Sequence, residues 1–402
     1  MTSVLSIESS EIALAWWTRS VQRSALQNML ALCSGRDVIS FALGLPAPNQ
    51  FPVDVIQQSV LKVLRSEPRA FQYSPPLQVL KQQIQSLMRE RGVHCSTEQI
   101  FLTCGAQQGM NLLARTLLDA GNGQVLLEEL AYTGFQQILT TLGVDVLTVP
   151  TNPESGMDVD AVEAVLSSGA RPAFIYAVTD GHNPLGVSMS QANRIRLVEL
   201  ARDYSVPIME DDAYGFLHYE QDFIPPLRAL DEDWVLYVGS FSKILAPSLR
   251  AGWVIIPEHL MLSLSIVKEA TDIDTTTLAK RIVSAYLESG CHEHHLPRLR
   301  GLYRTRRDTM LRALEKYFPS EARWSKPESG FFIWVELPPT INTSDLLKTA
   351  IEEENVAFIP GEAFSVDKRH SATNAMRLNF SHPSPDRIEE GIARLSRLIR
   401  RY

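Results

Sequence analysis

One lysine lies in a setting that suits covalent chemistry. In the sequence SFSKILAPSLRAGW at 240–253, Lys243 lies between two serines and an apolar run, and Arg250 follows seven residues later. A surface lysine usually has polar neighbours, whereas a lysine that reacts as a free amine is held in a drier place that lowers its pKa. The alternative is a buried lysine that pairs with Asp211 or Asp212 for structural reasons alone. The pattern favours a reactive amine.

Other side chains with useful chemistry also follow short apolar runs. After five such runs come Gly105, Ala106 and Gln107; Tyr132; Asn183; Asp211 and Tyr214; and Ser240, Ser242, Lys243 and Arg250. If the runs are parallel strands, these residues meet at the carboxyl edge of one sheet, where ligands bind in such folds.

This set of residues suits pyridoxal phosphate (PLP). A lysine can form a Schiff base with its aldehyde, and a carboxylate can keep its pyridine nitrogen protonated, so that the ring accepts electrons. A helix N-terminus after Gly105, the serine hydroxyls and Arg250 suit its phosphate.

The elements that would position these residues alternate along the chain. Apolar runs occur at 100–103, 124–127, 145–149, 172–178, 206–209, 234–238 and 251–256, and segments with a helical period occur at 107–118, 161–166 and 191–204. Strands that alternate with helices predict an α/β fold with a mainly parallel sheet covered on both faces.

The remaining segments predict a smaller α+β domain. They are a helical stretch at 258–318, a strand at 330–337, a helix at 344–354, strands near 356–359 and 376–380, and a final helix at 385–401. At the N-terminus a helix-like stretch lies near 11–33, before an extended run at 38–41. We predict an arm and part of the small domain at 1–45, a large PLP-binding domain at 46–290 and a small C-terminal domain at 291–402.

The chain resembles fold-type I PLP-dependent enzymes of the class I/II aminotransferase group. It is most similar to the branch that holds the aminoadipate and kynurenine aminotransferases. The likeness extends from VISFALGLPAPNQFP at 38–52 to MRLNFS at 376–381, and HNPLG at 182–186, EDDAY at 210–214 and SFSK at 240–243 occur in the expected order. The resemblance implies a large domain with a seven-stranded, mainly parallel sheet and a smaller α+β domain.

The resemblance also implies roles at the cofactor ring. Lys243 would bind PLP covalently and then transfer the substrate proton. Asp211 would pair with the pyridine nitrogen, and Tyr214 and Asn183 would bond the ring hydroxyl oxygen. Tyr132 would stack on the ring.

Further roles are implied around the phosphate and the substrate. The phosphate would be bound by the turn at 105–107, with Ala106 and Gln107, and by Ser240, Ser242 and Arg250. Arg377 would clamp the substrate α-carboxylate bidentately, which lysine does poorly. Tyr73 would reach the phosphate of the neighbouring subunit, because these sites form across a homodimer.

Four departures from the family pattern concern the same predicted pocket. Gln27 replaces an arginine that helps relatives to recognise substrate side chains, so we expect a weaker preference for a distal carboxylate. Leu43 adds bulk beside Gly44, where the substrate is expected to lie. The segment after Tyr73 is shortened, and TDGHNPLG at 179–186 departs from the usual motif. Together they favour an unusual substrate, for example one of specialised metabolism.

The leading prediction is therefore a PLP-dependent aminotransferase that moves an amino group between an α-amino acid and a 2-oxo acid by a ping-pong mechanism. The same fold also supports an oxidase, a β/γ-eliminase or replacement enzyme, or a decarboxylase. A third alternative is a PLP-binding regulatory domain. Against it, the likeness begins close to the N-terminus, and the net charge of −8 disfavours nucleic acid.

Composition adds a prediction of location. The 402 residues include four scattered cysteines, and no apolar run approaches the ~20 residues that span a bilayer. We predict a cytoplasmic protein without membrane contact. The cluster CHEHH at 291–295 lacks zinc-ligand spacing, so we predict no metal site there. His182 is a candidate acid or base, but the sequence favours a structural loop histidine.

Overall fold

The computed structural model describes residues 15, 17–18, 37–119, 123–220, 223–367 and 372–401. Almost all of the helix predicted near 11–33, including Gln27, lies outside the described residues. Within the described part of the chain, no helix is long and apolar enough to cross a membrane.

Fifteen strands can be numbered in the described residues. They are β1 (Ile39–Ser40), β2 (Ile100–Thr103), β3 (Gln124–Glu128), β4 (Asp145–Val149), β5 (Thr151–Asn152), β6 (Gly156–Met157), β7 (Phe174–Ala177), β8 (Ile208–Asp212), β9 (Val235–Ser240), β10 (Gly252–Ile255), β11 (Arg323–Trp324), β12 (Phe332–Glu336), β13 (Val356–Ala357), β14 (Ile359–Pro360) and β15 (Ala375–Asn379). The α-helices of this part of the chain are Val53–Ser66, Gln78–Glu90, Ala106–Leu117, Thr133–Leu142, Val159–Ser167, Gln191–Tyr204, Met261–Asp272, Thr277–Glu288, His292–Tyr317, Thr343–Glu353 and Pro385–Ile399.

The large sheet has seven strands in the order β2-β10-β9-β8-β7-β3-β4. Strands β9, β8, β7, β3 and β4 are parallel, and only β10 runs antiparallel to its neighbours β2 and β9. The predicted seven-stranded, mainly parallel sheet is therefore confirmed.

Both faces of this sheet are buried, which explains the continuous apolar runs. In β3, Val125 and Leu127 belong to one apolar cluster, and Leu126 between them belongs to another. The first cluster includes side chains of helices Ala106–Leu117 and Thr133–Leu142, and the second includes side chains of Val159–Ser167 and Gln191–Tyr204. The polar residues of the site then follow at the carboxyl ends of these strands.

A second sheet is antiparallel throughout, in the order β11-β12-β15-β14. Strand β1 pairs with β13 in parallel, with Ile39 opposite Val356. This pairing supports the prediction that the N-terminal segment joins the small domain. The domain boundaries at 45 and 290 stay a prediction.

The structure differs from the sequence prediction in local details. The helical stretch at 258–318 is three helices, because Ile273 (φ 63°) and Gly290 (φ 70°) take left-handed conformations that no α-helix continues through. Helices Val53–Ser66, Gln78–Glu90 and Thr133–Leu142 were not predicted. Strand β8 (Ile208–Asp212) lies further along the chain than the apolar run at 206–209, so residues 210–212 form its buried end.

Candidate active site

A cavity of about 270 Å³ opens at the carboxyl ends of β7, β8 and β9. The start of helix Ala106–Leu117 closes one end, and β12 and β15 of the small sheet contribute to the opposite wall. Twelve of the predicted site residues line it: Gly44, Ala106, Gln107, Tyr132, Asn183, Asp211, Tyr214, Ser240, Ser242, Lys243, Arg250 and Arg377.

Lys243 follows β9 and points into the cavity. Its Nζ donates a 2.7 Å hydrogen bond to the carbonyl oxygen of Gly44 and lies 5.9 Å from the ring centroid of Tyr214. Burial, together with the positive charge of Arg377, lowers the pKa of Lys243 to about 8, although Asp211 opposes the shift. A much larger fraction of this amine is therefore neutral at physiological pH than for an exposed lysine.

Asp211 lies near the end of β8 with one carboxylate oxygen paired and the other free. Its Oδ2 accepts a 2.7 Å hydrogen bond from the Tyr176 hydroxyl, and its buried Oδ1 has no hydrogen-bond partner among the described residues. Burial and the neighbouring Asp212 raise the pKa of Asp211 to about 6, although the Tyr176 bond opposes the shift. A buried oxygen without a partner is costly unless a ligand supplies a donor.

The opposite end of the cavity is built to hold an anion. Gly105 (φ +87°) precedes helix Ala106–Leu117, and a Cβ there would lie 2.8 Å from Nη2 of Arg250. Arg250 reaches this turn because its Nη2 donates a 2.9 Å hydrogen bond to the Cys104 carbonyl oxygen. The Ser240 and Ser242 hydroxyls are 2.9 Å apart. Helix amides, two hydroxyls and a guanidinium at one place suit a phosphate.

Arg377 lies on β15 and reaches the cavity from the small sheet. Its Nη1 donates to Oδ1 of Asn183 at 2.7 Å, and its Nη2 donates to the Ala42 carbonyl oxygen at 2.6 Å. Its guanidinium carbon lies 4.0 Å from the ring centroid of Phe332 and 4.8 Å from that of Phe364. Burial lowers the pKa of Arg377 to about 10, so the side chain stays charged at neutral pH. A fixed, desolvated fork of this kind suits a carboxylate.

This arrangement agrees with what comparison with known proteins shows. The chain matches the family described as aminotransferase class I and II over residues 36–395. The chain belongs to that family.

Named relatives support the same assignment. An aromatic-amino-acid aminotransferase of Thermococcus litoralis is 36% identical over 94% of this chain and 92% of its own length. The crystal structure of a Pyrococcus horikoshii kynurenine aminotransferase in complex with PMP has a TM-score of 0.90 at 34% identity, covering 96% of this chain and 97% of its own. That of an α-aminoadipate aminotransferase from Thermus thermophilus, complexed with N-(5′-phosphopyridoxyl)-L-leucine, has a TM-score of 0.88 at 33% identity, with the same coverage of both chains. The protein is a PLP-dependent aminotransferase of fold type I.

The residues of this aminotransferase fit PLP. The unpaired Oδ1 of Asp211 provides an acceptor for a protonated ring nitrogen. Gly105 has no side chain between the helix N-terminus and Arg250, so both groups are accessible to a phosphate. Burial raises the pKa of Tyr214 well above its usual value, so that its hydroxyl stays a neutral donor. Tyr132 directly precedes helix Thr133–Leu142, and burial also raises the pKa of the Tyr132 hydroxyl.

Some predicted residues of the aminotransferase do not line the cavity. Gly105 frames it through its backbone conformation, and Leu43 is buried in the apolar core between Ala42 and the cavity-lining Gly44. Tyr73 is 73% exposed, away from the cavity of its own chain. Its predicted reach into a neighbouring subunit stays a prediction, as do the individual roles of the residues that line the cavity.

His182 is buried outside the cavity wall. Its Nε2 lies 3.1 Å from Oε2 of Glu128, and its Nδ1 accepts a weak bond of 3.4 Å from the Leu185 amide. With both nitrogens paired, His182 stabilises the turn that carries Asn183, in agreement with a structural loop histidine. Among the described residues, no group of histidine, cysteine and carboxylate side chains is arranged to hold a metal ion.

Sequence reasoning missed the side chains that support this site from behind. Tyr176 bonds Asp211 from outside the cavity, and the buried Arg91 contacts the turn after β7 and the end of β8. Phe332 and Phe364 lie in the cavity wall, where they pack on Arg377. One signal was present for Tyr176, because a tyrosine in a fully buried strand usually needs a hydrogen-bond partner. Arg91 had none, since it lies far from the site residues in the sequence.

Proposed function

We propose that this aminotransferase takes its amino group from α-amino acids with uncharged side chains and passes it to a 2-oxo acid. One observation carries the proposal. Among the described residues that line the cavity, the cationic side chains are Lys243, Arg250 and Arg377. Each has another task in the proposed arrangement, so none is left for a carboxylate at the far end of a substrate.

The assignments of the three cations follow from their contacts. Arg250 is bound to the Cys104 carbonyl oxygen at the phosphate end. Arg377 is bound to Asn183 and would hold the substrate α-carboxylate, and Lys243 is bound to the Gly44 carbonyl oxygen and would bind the cofactor aldehyde. The wall near Arg377 includes Leu45, Phe332, Ile359 and Phe364. A distal carboxylate buried there would lose its hydration without gaining a partner. The prediction for Gln27 agrees with this proposal but lies outside the described residues.

PLP, when bound, supplies the electron sink that makes the substrate Cα–H acidic. The residues of the chain hold the ring, bind the substrate and move the proton. The Asp211 carboxylate holds the ring nitrogen protonated, and Asn183 and Tyr214 hold the ring oxygen. Arg377 fixes the α-carboxylate. The Nζ of Lys243, with its lowered pKa, would accept the proton from the substrate Cα and hold it for return.

The proposal includes a homodimer with shared sites. Exposed large side chains include Phe71 and Tyr73, both 73% exposed, as well as Leu262, Ile266 and Ile273. Of these, Tyr73 and Ile273 line the same surface pocket, and apolar side chains exposed side by side are typical of a contact surface. We propose that a second copy covers it and brings its own Tyr73 to the phosphate end of the neighbouring site. A cytoplasmic location stays a prediction, supported by the free Cys95, Cys104 and Cys291. A biosynthetic role stays a prediction as well.

The experiment compares donors at a fixed acceptor. With pyruvate as the 2-oxo acid, kcat/KM is measured for phenylalanine, leucine and methionine and for glutamate and 2-aminoadipate. We expect the apolar donors to exceed the acidic ones by about 10- to 100-fold, because an unpaired charge is expensive in the apolar wall. The proposal fails if glutamate or 2-aminoadipate is the best donor. As a control, Arg377→Lys should lower kcat/KM for all donors by similar factors, since they share the α-carboxylate.

A further inference from the structure

Arg91 is a buried guanidinium that lies outside the cavity. It directly follows helix Gln78–Glu90, and only 3% of it is exposed. Its guanidinium carbon lies 5.1 Å from the ring centroids of both Phe216 and Phe223. A buried charge of this kind is costly unless it is well paired.

Two carboxylates pair with Arg91, one from each of two neighbouring strand ends. Nη2 donates a 3.1 Å hydrogen bond to Oδ2 of Asp180, and Nη1 lies 3.1 Å from Oδ2 of Asp212. Both carboxylates are fully buried. Burial disfavours the charge on Arg91, but Asp212 and Asp180 outweigh it and raise the pKa of Arg91. The guanidinium therefore stays charged and bridges the two carboxylates.

Each of these carboxylates belongs to a turn that carries residues of the site. Asp180 begins the turn after β7 that leads to Asn183, and Asp212 ends β8 directly after Asp211. The Oδ1 of Asp212 accepts a 2.7 Å hydrogen bond from the Gly215 amide, which closes the turn that holds Tyr214. The bridge therefore links the segments that carry Asn183, Asp211 and Tyr214.

The surroundings fix the guanidinium in place. A Cβ on Gly215 would lie 2.0 Å from Nη1 of Arg91, so only glycine fits beside it. Asp180 is held from its other side by Arg194 at 2.6 Å and by His218 at 2.8 Å. Tyr237 donates a 2.8 Å hydrogen bond to Asp212. Without Arg91, Asp180 keeps the charged Arg194, but Asp212 loses its only ion-pair partner within this network.

We propose that Arg91 is a positioning residue of the aminotransferase: by bridging Asp180 and Asp212 it sets the spacing of the two turns, so that Asn183 and Tyr214 meet the cofactor ring oxygen together. Arginine suits this task because its planar fork reaches two carboxylates at once, whereas a lysine ammonium is a point charge. The inference rests on the proposed roles of Asn183 and Tyr214.

The test uses the PLP-loaded full-length enzyme and the variants Arg91→Lys and Asp180→Asn. Arg91→Lys keeps the charge but not the fork, and Asp180→Asn keeps the shape but breaks the bridge from the other side. We measure the dissociation constant for PLP and the pH at which the change in visible absorption of bound PLP is half complete. This pH is the absorption midpoint. Loss of the paired donors to the ring oxygen should raise the midpoint by about one pH unit and weaken PLP binding about tenfold.

Arg228→Lys is the matched control. Arg228 is also buried, beside the start of β9, but its guanidinium donates to backbone carbonyl oxygens, including that of Val235 at 2.7 Å. The substitution Arg228→Lys should lower the urea concentration at which half of the protein is unfolded, without changing the absorption midpoint. If Arg91→Lys does not fold, Asp180→Asn decides alone.

The inference is overturned if both variants lower stability as the control does but leave the absorption midpoint in place, or if Arg228→Lys moves the midpoint equally. Asn183→Ala separates this failure from failure of the proposed function. If Asn183→Ala leaves the midpoint unmoved, the proposed role of Asn183 is wrong, and the inference falls with it. If Asn183→Ala moves it while the Arg91 and Asp180 variants do not, only the inference is wrong.

Discussion

The Tyr176 hydroxyl donates a 2.7 Å hydrogen bond to Oδ2 of Asp211, while Oδ1 of the same carboxylate has no hydrogen-bond partner among the described residues. One oxygen of this buried carboxylate is thus hydrogen-bonded within the protein, and the other is available to a ligand. Such a group lowers the stability of the ligand-free protein in exchange for function.

Replacing Asp211 by asparagine should therefore stabilise the PLP-free protein at neutral pH. The folded-state pKa of about 6 exceeds the unfolded value of 3.8, so the folded protein binds more protons between these values, and its stability falls as pH rises through that window. The difference of about two pKa units corresponds to roughly 3 kcal/mol at most. Urea unfolding of PLP-free Asp211→Asn and wild type should differ at pH 7 and converge near pH 4. A difference of the same size at both pH values would contradict this origin.

The lowered pKa of Lys243 predicts the pH dependence of cofactor attachment. The amine is neutral above its pKa of about 8, so the rate at which PLP attaches to the PLP-free protein should rise with pH and level off above that value. Arg377→Met removes a positive charge that lowers this pKa, so its midpoint should move to higher pH. Stopped-flow absorbance measures both rates. A wild-type midpoint near that of an exposed lysine would show that Lys243 is not desolvated.

Gly44 should tolerate no side chain. A Cβ there would lie 2.7 Å from Cζ of Phe332, the ring that packs on the Arg377 guanidinium. We expect Gly44→Ala to displace Phe332 and raise KM for the amino donor about tenfold or more, since small misplacements of substrate-positioning groups are costly.

Gly301→Ala provides the control for that substitution. Gly301 lies within helix His292–Tyr317, and a Cβ there meets nothing within 4 Å. Alanine is a better helix former than glycine, so this variant should be more stable by about 0.5–1 kcal/mol with unchanged kinetics. Equal KM values for wild type and Gly44→Ala would show that the contact is relieved without cost.

Hybrid dimers test whether Tyr73 acts in the neighbouring subunit. Lys243→Ala and Tyr73→Ala should each lower activity as homodimers. In a hybrid of the two, the site that retains Lys243 receives its Tyr73 from the other chain, so about half of wild-type activity should return if the dimer shares its sites. A hybrid with no more activity than its parents would place Tyr73 in its own subunit or outside the site.

Much of this fold follows from local patterns. Apolar runs such as the one in β3 predict strands because both faces of the sheet are buried, and Gly105 before a helix predicts an anion site. Helix Thr133–Leu142 was not predicted because Gly134 and three threonines have low helix propensity. Its stability comes instead from the packing of Phe135 and Ile138 in the apolar core.

The supporting contacts of the site could not be predicted, because they join residues far apart in the chain. Arg91 meets Asp180 across 89 positions, and Tyr176 meets Asp211 across 35. Similarly, the strand β8 continues through three carboxylates only because distant residues bind them: Thr179 donates to Glu210, Tyr176 to Oδ2 of Asp211, and Tyr237 to Asp212. No local pattern contains those partners.

A single-turnover experiment tests the central claim most directly. PLP-loaded enzyme is mixed with phenylalanine without oxygen and without a 2-oxo acid, and the products are counted per active site. Transamination predicts one equivalent of phenylpyruvate, no ammonia and no carbon dioxide, followed by one equivalent of alanine when pyruvate is added. Release of ammonia or carbon dioxide, or product formation only after oxygen is admitted, would contradict the account.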